Sequence, residues 1–303
     1  MSVNIPNWYY TEYSRNIDLL LQQKDSRLSG SVMIGSHTGE KASPVDQLGS
    51  VEMQDVVSRF AAMGRVDAPT ERRWVFPVSS DLPQLIDSFD KLKIITDPQS
   101  SYVTNAVAAG QRRKDRHILG AFFASSAIGV NAGSTETFGT TLTTSAGQNV
   151  SVGTGGAASG MNVAKLKAGV RRLMESNVDV EAEGGVNVAI SAKQHDELLN
   201  ELQVINADYG TTIFNGQKLL TSWWVCKFHH TELLTTGTDD AAGTSTQVPM
   251  WVKSGMHLGL WDSLTTDISQ RKDLQGLPWQ VYMKMTAGAT RLELGKVIRI
   301  WSR

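Results

Sequence analysis

A single cysteine, Cys226, stands in a chain of 303 residues. One thiol cannot build an intramolecular disulfide framework and excludes a cysteine-rich zinc site. An excess of either charge is also missing: 29 Lys and Arg face 30 Asp and Glu, for a formal net charge of -1. A dedicated nucleic-acid binder is ordinarily clearly basic, so this balance argues against one and leaves room only for a local basic face. No apolar run approaches the roughly 20 residues needed to span a bilayer. The opening residues, M-S-V-N-I-P-N-W-Y-Y, lack a signal-peptide pattern. A soluble protein, intracellular where it is made and without a membrane partner, is the expectation. The phosphate-binding pattern G-x-x-x-x-G-K-[ST] and the nucleophile elbow G-x-S-x-G are absent too.

What is present is ample core material, 41% hydrophobic residues with 8 Trp and 27 Gly, enough for about two domains. The chain is organised around residues 97–125, which read as one long helix. Pro98 disfavours helix at Asp97, and Ser100 or Ser101 can cap the first turn. Tyr102, Val103, Ala106, Val107 and Ala109 share one face, and Ile118, Leu119, Phe122 and Phe123 continue the apolar character. Between them lies Arg112, Arg113, Lys114, Asp115, Arg116, His117, a run too charged for a core. A helix of about 24 residues is about 36 Å long, a strut more than an ordinary core helix.

Residues 1–27 read as an arm whose aromatics Trp8, Tyr9 and Tyr10 dock either on their own domain or on a neighbouring subunit. Residues 28–80 hold two β-like runs separated by far more chain than a hairpin loop allows. Such an excursion has little core of its own and needs a partner surface. Arg65, Glu71, Arg72 and Arg73 are expected along it as exposed charges, either merely solvated or forming inter-subunit pairs. Residues 81–96 suggest a short apolar helix or turn, and 126–160 a loose Gly/Ser/Thr-rich hairpin anchored by Phe138 and Leu142.

A second helix follows at 161–177, with Val163, Leu166, Val170 and Leu173 on one face and Lys165, Lys167, Arg171 and Arg172 mainly on others. Strands are expected at 186–190, 223–228, 249–254, 256–261, 279–285 and 296–301, with a helix from Ser191 to Leu199 and a hairpin turn at Asn215-Gly216. Strands crowding the end of the chain after earlier helices indicate an α+β fold more than repeated βαβ units.

Catalytic chemistry is hard to find. G-T-G-G-A-A at 153–158 matches a dinucleotide fingerprint in form, but its glycines lie too far ahead of the helix start to present a pyrophosphate to it. His229, His230 and Glu232 lack helical zinc spacing and read as exposed strand-end residues. Asp239 and Asp240 read as a loop tip, and nothing converges on Asp81, Asp87 and Asp90. No catalytic, cofactor-binding or metal residue is assigned, and no cofactor is expected. The basic clusters at 112–116 and 165–172 suit ordinary solvated faces, sequence-blind screening of a phosphate backbone, or an acidic partner.

Several stretches resemble one family. They are D-K-L-K-I-I-T-D-P-Q-S-S-Y-V at 90–103, R-R-K-D at 112–115, M-N-V-A-K-L at 161–166 and N-A-D-Y-G at 206–210. V-K-S-G-M-H-L-G-L at 252–260 and Q-V-Y-M-K-M-T-A-G-A-T-R-L-E-L-G-K-V at 280–297 complete the set. Their order and spacing resemble the major capsid protein of tailed bacteriophages, the Hong Kong 97-type fold. The resemblance implies an N-arm at 1–27 and an extended E-loop at 28–80. It implies a peripheral domain at 81–185 and 276–303 with the spine helix at 97–125, and an axial domain at 186–275.

The implied function is structural: pentamers and hexamers closing into an icosahedral virion shell around non-specifically contacted double-stranded DNA, assembled in the host bacterial cytoplasm. A portal protein, a separate scaffolding protein and a possible decoration protein are the implied partners. The candidate inter-subunit contacts are Trp8, Tyr9, Tyr10, Arg65, Glu71, Arg72, Arg73, Arg112, Arg113 and Arg116. Lys41 is a conceivable cross-link donor without a marked partner, so non-covalent closure is expected. The alternatives are an encapsulin-like nanocompartment shell and a nucleotide-binding enzyme using the 153–158 glycines.

Overall fold

A computed structural model describes residues 22–55, 64–86, 99–139, 147–154, 157–201, 204 and 219–303. Within them the chain forms an α+β fold of three helices and three sheets. The helices are α1 (Gln99–Phe123), α2 (Val163–Glu175) and α3 (Ala192–Leu199). One sheet joins β1 (Met33–Ser36) and β4 (Val78–Ile86) to the long hairpin of β13 (Met256–Gln270) and β14 (Trp279–Arg291), in the order β1-β13-β14-β4. A small sheet at the base of the excursion has the order β2-β3-β5-β6, from β2 (Asp46–Leu48), β3 (Thr70–Trp74), β5 (Ser126–Ile128) and β6 (Ser134–Glu136). The largest sheet runs β7-β15-β12-β8-β10-β9 with β11 on the flank of β12. Its members are β7 (Asn149–Val150), β8 (Val186–Ile190), β9 (Ser222–Trp223), β10 (Cys226–His230), β11 (Thr236–Thr238), β12 (Thr244–Trp251) and β15 (Val297–Ser302).

The main core lies between α2 and the largest sheet. Leu166, Val170 and Leu173 are fully buried and belong to one cluster with Val188, Met250 and Ile300. The four-residue spacing between Leu166 and Val170, with three-residue steps either side, keeps these side chains on one stripe of the helix. Asn162 caps α2 by accepting the Lys165 N–H at 2.8 Å. In α3, Gln194 Oε1 reaches back to the Ser191 N–H at 2.9 Å. A second cluster gathers Ile118, Phe122, Trp251, Leu258 and Val297, fastening the end of α1 to both large sheets.

Several expectations change. The outgoing run of the excursion does not pair with its return; β1 lies parallel to β13, and β3 pairs with β2 and β5. Residues 81–86 belong to strand β4, not to a helix or turn, because their alternating V-S-S-D-L-P-Q-L-I pattern pairs along β14. Within the loose 126–160 tract, β5 and β6 form an antiparallel hairpin, and Phe138 is buried as expected. β13 and β14 pair as a long hairpin on either side of residue 276, and β15 pairs with β12 in the largest sheet. The charged run of α1 is not wholly outside the core, since Asp115 is fully buried. The Asn215-Gly216 turn, Leu142 and the capping serines' side chains lie outside the described residues.

Candidate functional site

Several groups that suggested chemistry hold the fold together, while Asp87, Asp90, Gly155 and Gly156 lie outside the described residues. Lys165, expected on a solvated basic face, is fully buried. Its ammonium donates to the carbonyls of Ser159 at 2.7 Å, Gly160 at 2.9 Å and Trp301 at 2.8 Å. Burial lowers its pKa to about 8, against the pull of Glu197, Asp240 and Asp239. It ties the described part of the glycine tract to β15, and the N-terminus of α2 is closed by Asn162. Lys165→Met leaves three carbonyls without this donor and is expected to cost on the order of 2 kcal/mol, read as a lower urea midpoint with an unchanged slope.

Asp239, expected at an exposed loop tip, is buried for the same kind of reason. It accepts from the Ala241 and Gly243 N–H groups, the Ser245 hydroxyl and the Arg303 guanidinium. Burial pushes its carboxyl up, but its four hydrogen-bond donors together outweigh that and hold it below the usual range. His229 and His230 are half-buried, not solvent-exposed: His229 stacks on Trp251 and bonds Asn187 Oδ1, and His230 bonds the Leu220 carbonyl. Glu232 accepts the Ala192 N–H at 2.7 Å. Among the described residues no group of three or more His, Cys, Asp or Glu side chains is placed to hold a metal. No described helix is long and apolar enough to cross a membrane.

The remaining candidates lie on surfaces. Trp8, Tyr9 and Tyr10 lie outside the described residues. Arg65 pairs with Asp67 and Arg72 with Asp46, both at 2.6 Å and both exposed. Arg73 is not an exposed charge: it is 4% exposed and pairs with Glu136 at 2.7 Å and Glu71 at 3.2 Å. Arg291, fully buried, approaches the same Glu136 at 4.0 Å and donates to the carbonyls of Phe122, Ala124 and Glu136. Burial lowers the Arg291 pKa to about 10. This knot joins β3, β6, β14 and the end of α1 at the root of the excursion. The sequence carried one signal for it: Glu136 is the sole carboxylate between Asp115 and Glu175.

The charged run of α1 divides its roles. Arg112 turns to Gln22 Oε1 at 2.7 Å and the Gln23 carbonyl at 3.0 Å. Arg113 and Arg116 are exposed and line a cavity of about 420 Å³ between α1 and the β4–β14 edge. Ala106, Ala109 and Gly110 keep the helix low there, over Leu264, Met283 and Met285. Arg116 also lines the adjoining cavity of about 390 Å³, beside Phe76, Val78 and Gly120. Opposite in character is the described excursion from Leu48 to Asp55. Leu48 is 72%, Val51 54% and Met53 100% exposed, interleaved with exposed Glu52 and Asp55.

A sequence model of the phage capsid protein family matches residues 5–302. The chain belongs to the phage capsid protein family. No curated protein sequence matches it. Solved capsids share its fold at low identity. The capsid structure of the cyanophage P-SCSP1u aligns with a TM-score of 0.74 at 11% identity, covering 97% of this chain and 93% of that one. The capsid of Ralstonia phage GP4 aligns at 0.66 with 15% identity, covering 96% and 94%. Mycobacterium phage Che8 aligns at 0.65 with 10% identity, covering 99% and 98%. The capsid protein thus has the Hong Kong 97-type fold, and its role is structural. Its buried charges Arg73, Asp115, Lys165, Asp239 and Arg291 are joints of a building block.

Proposed function

We propose that this capsid protein assembles as pentamers and hexamers into an icosahedral shell around the double-stranded DNA of a tailed phage. The supporting observation is that one chain exposes two unlike, complementary surfaces. The excursion at Leu48–Asp55 is apolar and acidic, whereas the α1 groove is apolar and lined by three cations, Arg113, Arg116 and Lys284, against one carboxylate, Asp81. A contact between unlike patches of identical chains is head-to-tail, and it closes into rings when the rotation per step allows. Many moderate contacts of this kind sum to a stable shell while each remains weak enough to be corrected.

Arg65, Glu71, Arg72, Arg113 and Arg116 are proposed to reach a neighbour, as are Trp8, Tyr9 and Tyr10. Arg73 and Arg112 are drawn off the surface into contacts within the chain, whereas Arg65 and Arg72 stay exposed beside Asp67 and Asp46. The peripheral domain is proposed to comprise residues 81–185 and 276–303, built around α1, and the axial domain residues 186–275. A portal protein at one vertex, a separate scaffolding protein, an outer decoration protein and sequence-blind, salt-sensitive DNA contact belong to the same proposal. So does assembly in the host bacterial cytoplasm before incorporation in the virion.

The test is negative-stain microscopy with size-exclusion chromatography, with and without the neighbouring phage genes. Uniform shells or rings of five and six are expected from the wild type. Val51→Asp with Met53→Asp, which places two carboxylates where apolar contact is proposed, is expected to leave unassembled chain. A wild type that stays monomeric under every condition overturns the assembly proposal. A double variant that assembles as well as wild type overturns the role given to the excursion.

A further inference from the structure

The stem by which the excursion leaves the body carries two histidines that no assembly role explains. His37 Nε2 and His257 Nε2 lie 2.8 Å apart, one just beyond β1 and the other on β13. Two glycines keep room for them. A Cβ at Gly35 would stand 2.7 Å from His257 Cε1, and one at Gly259 would stand 2.8 Å from His37 Cδ2. The adjoining contacts fasten the same stem: the His37 N–H donates to Leu260 O at 2.9 Å, and Trp261 Nε1 donates to Gly39 O at 2.7 Å. The Trp261 ring lies 5.4 Å from that of His37.

Two imidazoles facing through Nε2 share one N–H···N bond, so one ring must keep a bare nitrogen. His257 is 5% exposed and its Nδ1 has no partner, whereas His37 is more open. The less costly arrangement puts the proton of His257 on Nε2 and lets His37 accept, its own Nδ1–H reaching water. A proton added to His37 Nε2 then sets two N–H donors against each other. Moving the His257 proton to Nδ1 relieves this only by burying an N–H with no acceptor.

We propose that the His37–His257 pair is an acid-released latch on the outgoing stem of the excursion. The return stem has no such device: β4 pairs with β14 along Val78–Ile86, and neither strand contains histidine. Releasing β1 would leave the excursion held by its return side, through the β3–β5 pairing, the Arg73–Glu136 pair and β4. The pH range follows from the surroundings. Burial holds both rings below the ordinary value of 6.5, and for His257 the His37 charge adds to it, bringing His257 to about 4. Beyond this pair, no charged group on β1, β13 or β14 contributes to either shift. With folded values depressed, the unfolded or opened stem binds protons first. The latch therefore holds above about pH 6.5 and weakens as pH falls toward about 4.

Hydrogen–deuterium exchange of the full-length, unassembled chain at about pH 7.5 and about pH 5 tests this, after correction for intrinsic exchange. Amide protection over residues 33–39 is expected to fall about tenfold relative to Val78–Ile86 at the lower pH. His37→Gln, whose amide oxygen accepts from His257 but does not titrate, is expected to shrink the difference between the stems, because buried His257 still titrates. His37→Gln with His257→Gln is expected to hold both stems level. Unchanged protection at 33–39, or equal loss from both stems of the wild type, overturns the latch. That comparison lies within the wild type and stands even if the variant fails to fold. A folded variant carrying both His37→Gln and His257→Gln that keeps the wild-type pH response also overturns it.

Discussion

Glu136→Gln is expected to lower the unfolding free energy by about 2–3 kcal/mol, less than the full cost of breaking a buried ion pair because Glu136 itself is partly exposed. Two guanidiniums depend on this carboxylate. Arg73 reaches it with both terminal nitrogens, at 2.7 and 3.2 Å, and Arg291 stands 4.0 Å away. Neither cation has another strong counter-charge, since Glu71 is half exposed and screened by water. Arg291 keeps its carbonyl partners at Phe122 and Ala124, where the C-terminal end of α1 offers partial negative charge. A neutral amide keeps a hydrogen bond and loses the charge, so the measured loss is mainly electrostatic. Urea unfolding of Glu136→Gln, Arg73→Met and the double variant separates the pair from its surroundings. The double variant is expected to recover part of the loss, because the orphaned Arg73 charge is gone. A loss below about 1 kcal/mol for Glu136→Gln, typical of exposed pairs, would show that the knot is effectively solvated.

Asp115→Ala is expected to detach residues 22–28 from α1. One carboxylate there accepts from Gln23 Nε2 and Ser26 Oγ at 2.5 Å each, from the Arg27 N–H at 3.0 Å and from the Leu28 N–H at 3.3 Å. It acts as an external cap for a turn whose donors have no helix of their own. The turn delivers Leu28, fully buried, into the cluster of Ile118, Phe122 and Trp251. Removing the carboxylate strands several donors and weakens the seating of Leu28, at about 2–4 kcal/mol in total. Tryptic cleavage after Lys24 and Arg27 reports it locally, and a rise of tenfold or more is expected. Asp115→Asn, which keeps one acceptor oxygen, is expected to fall between the variant and wild type. Equal cleavage of Asp115→Ala and wild type would mean that apolar packing alone holds the segment.

These two carboxylates show where sequence periodicity stops. The face of α2 was readable because Val163, Leu166, Val170 and Leu173 repeat at helical spacing, and such spacing can bury only one stripe. The five residues of β8 were readable as an unbroken apolar-rich run of strand length, and all five are buried. The length of α1 was readable from Pro98 onward. The order of the scattered segments also carried the family resemblance. Asp115 and Lys165, in contrast, look like their solvated neighbours in the chain. Asp115 is buried by a turn 87–92 residues earlier, and Lys165 by a strand 136 residues later. No local pattern carries partners at such separations.

By itself, then, the amino-acid order determined the elements with a strong period, the α+β class, and the lack of disulfide, membrane-spanning and nucleotide-binding signatures. Those properties depend on residues close together in the chain, where backbone geometry turns spacing into a face. Only the tertiary structure decided which charges are joints and which are surface. It turned Arg73, Asp115, Lys165 and Asp239 inward, left Arg113 and Arg116 on a groove, and brought His37 against His257 across 220 residues. The physical reason is that burying a charge is tolerable only beside specific partners. Distant strands and turns supply those partners when the sheets assemble.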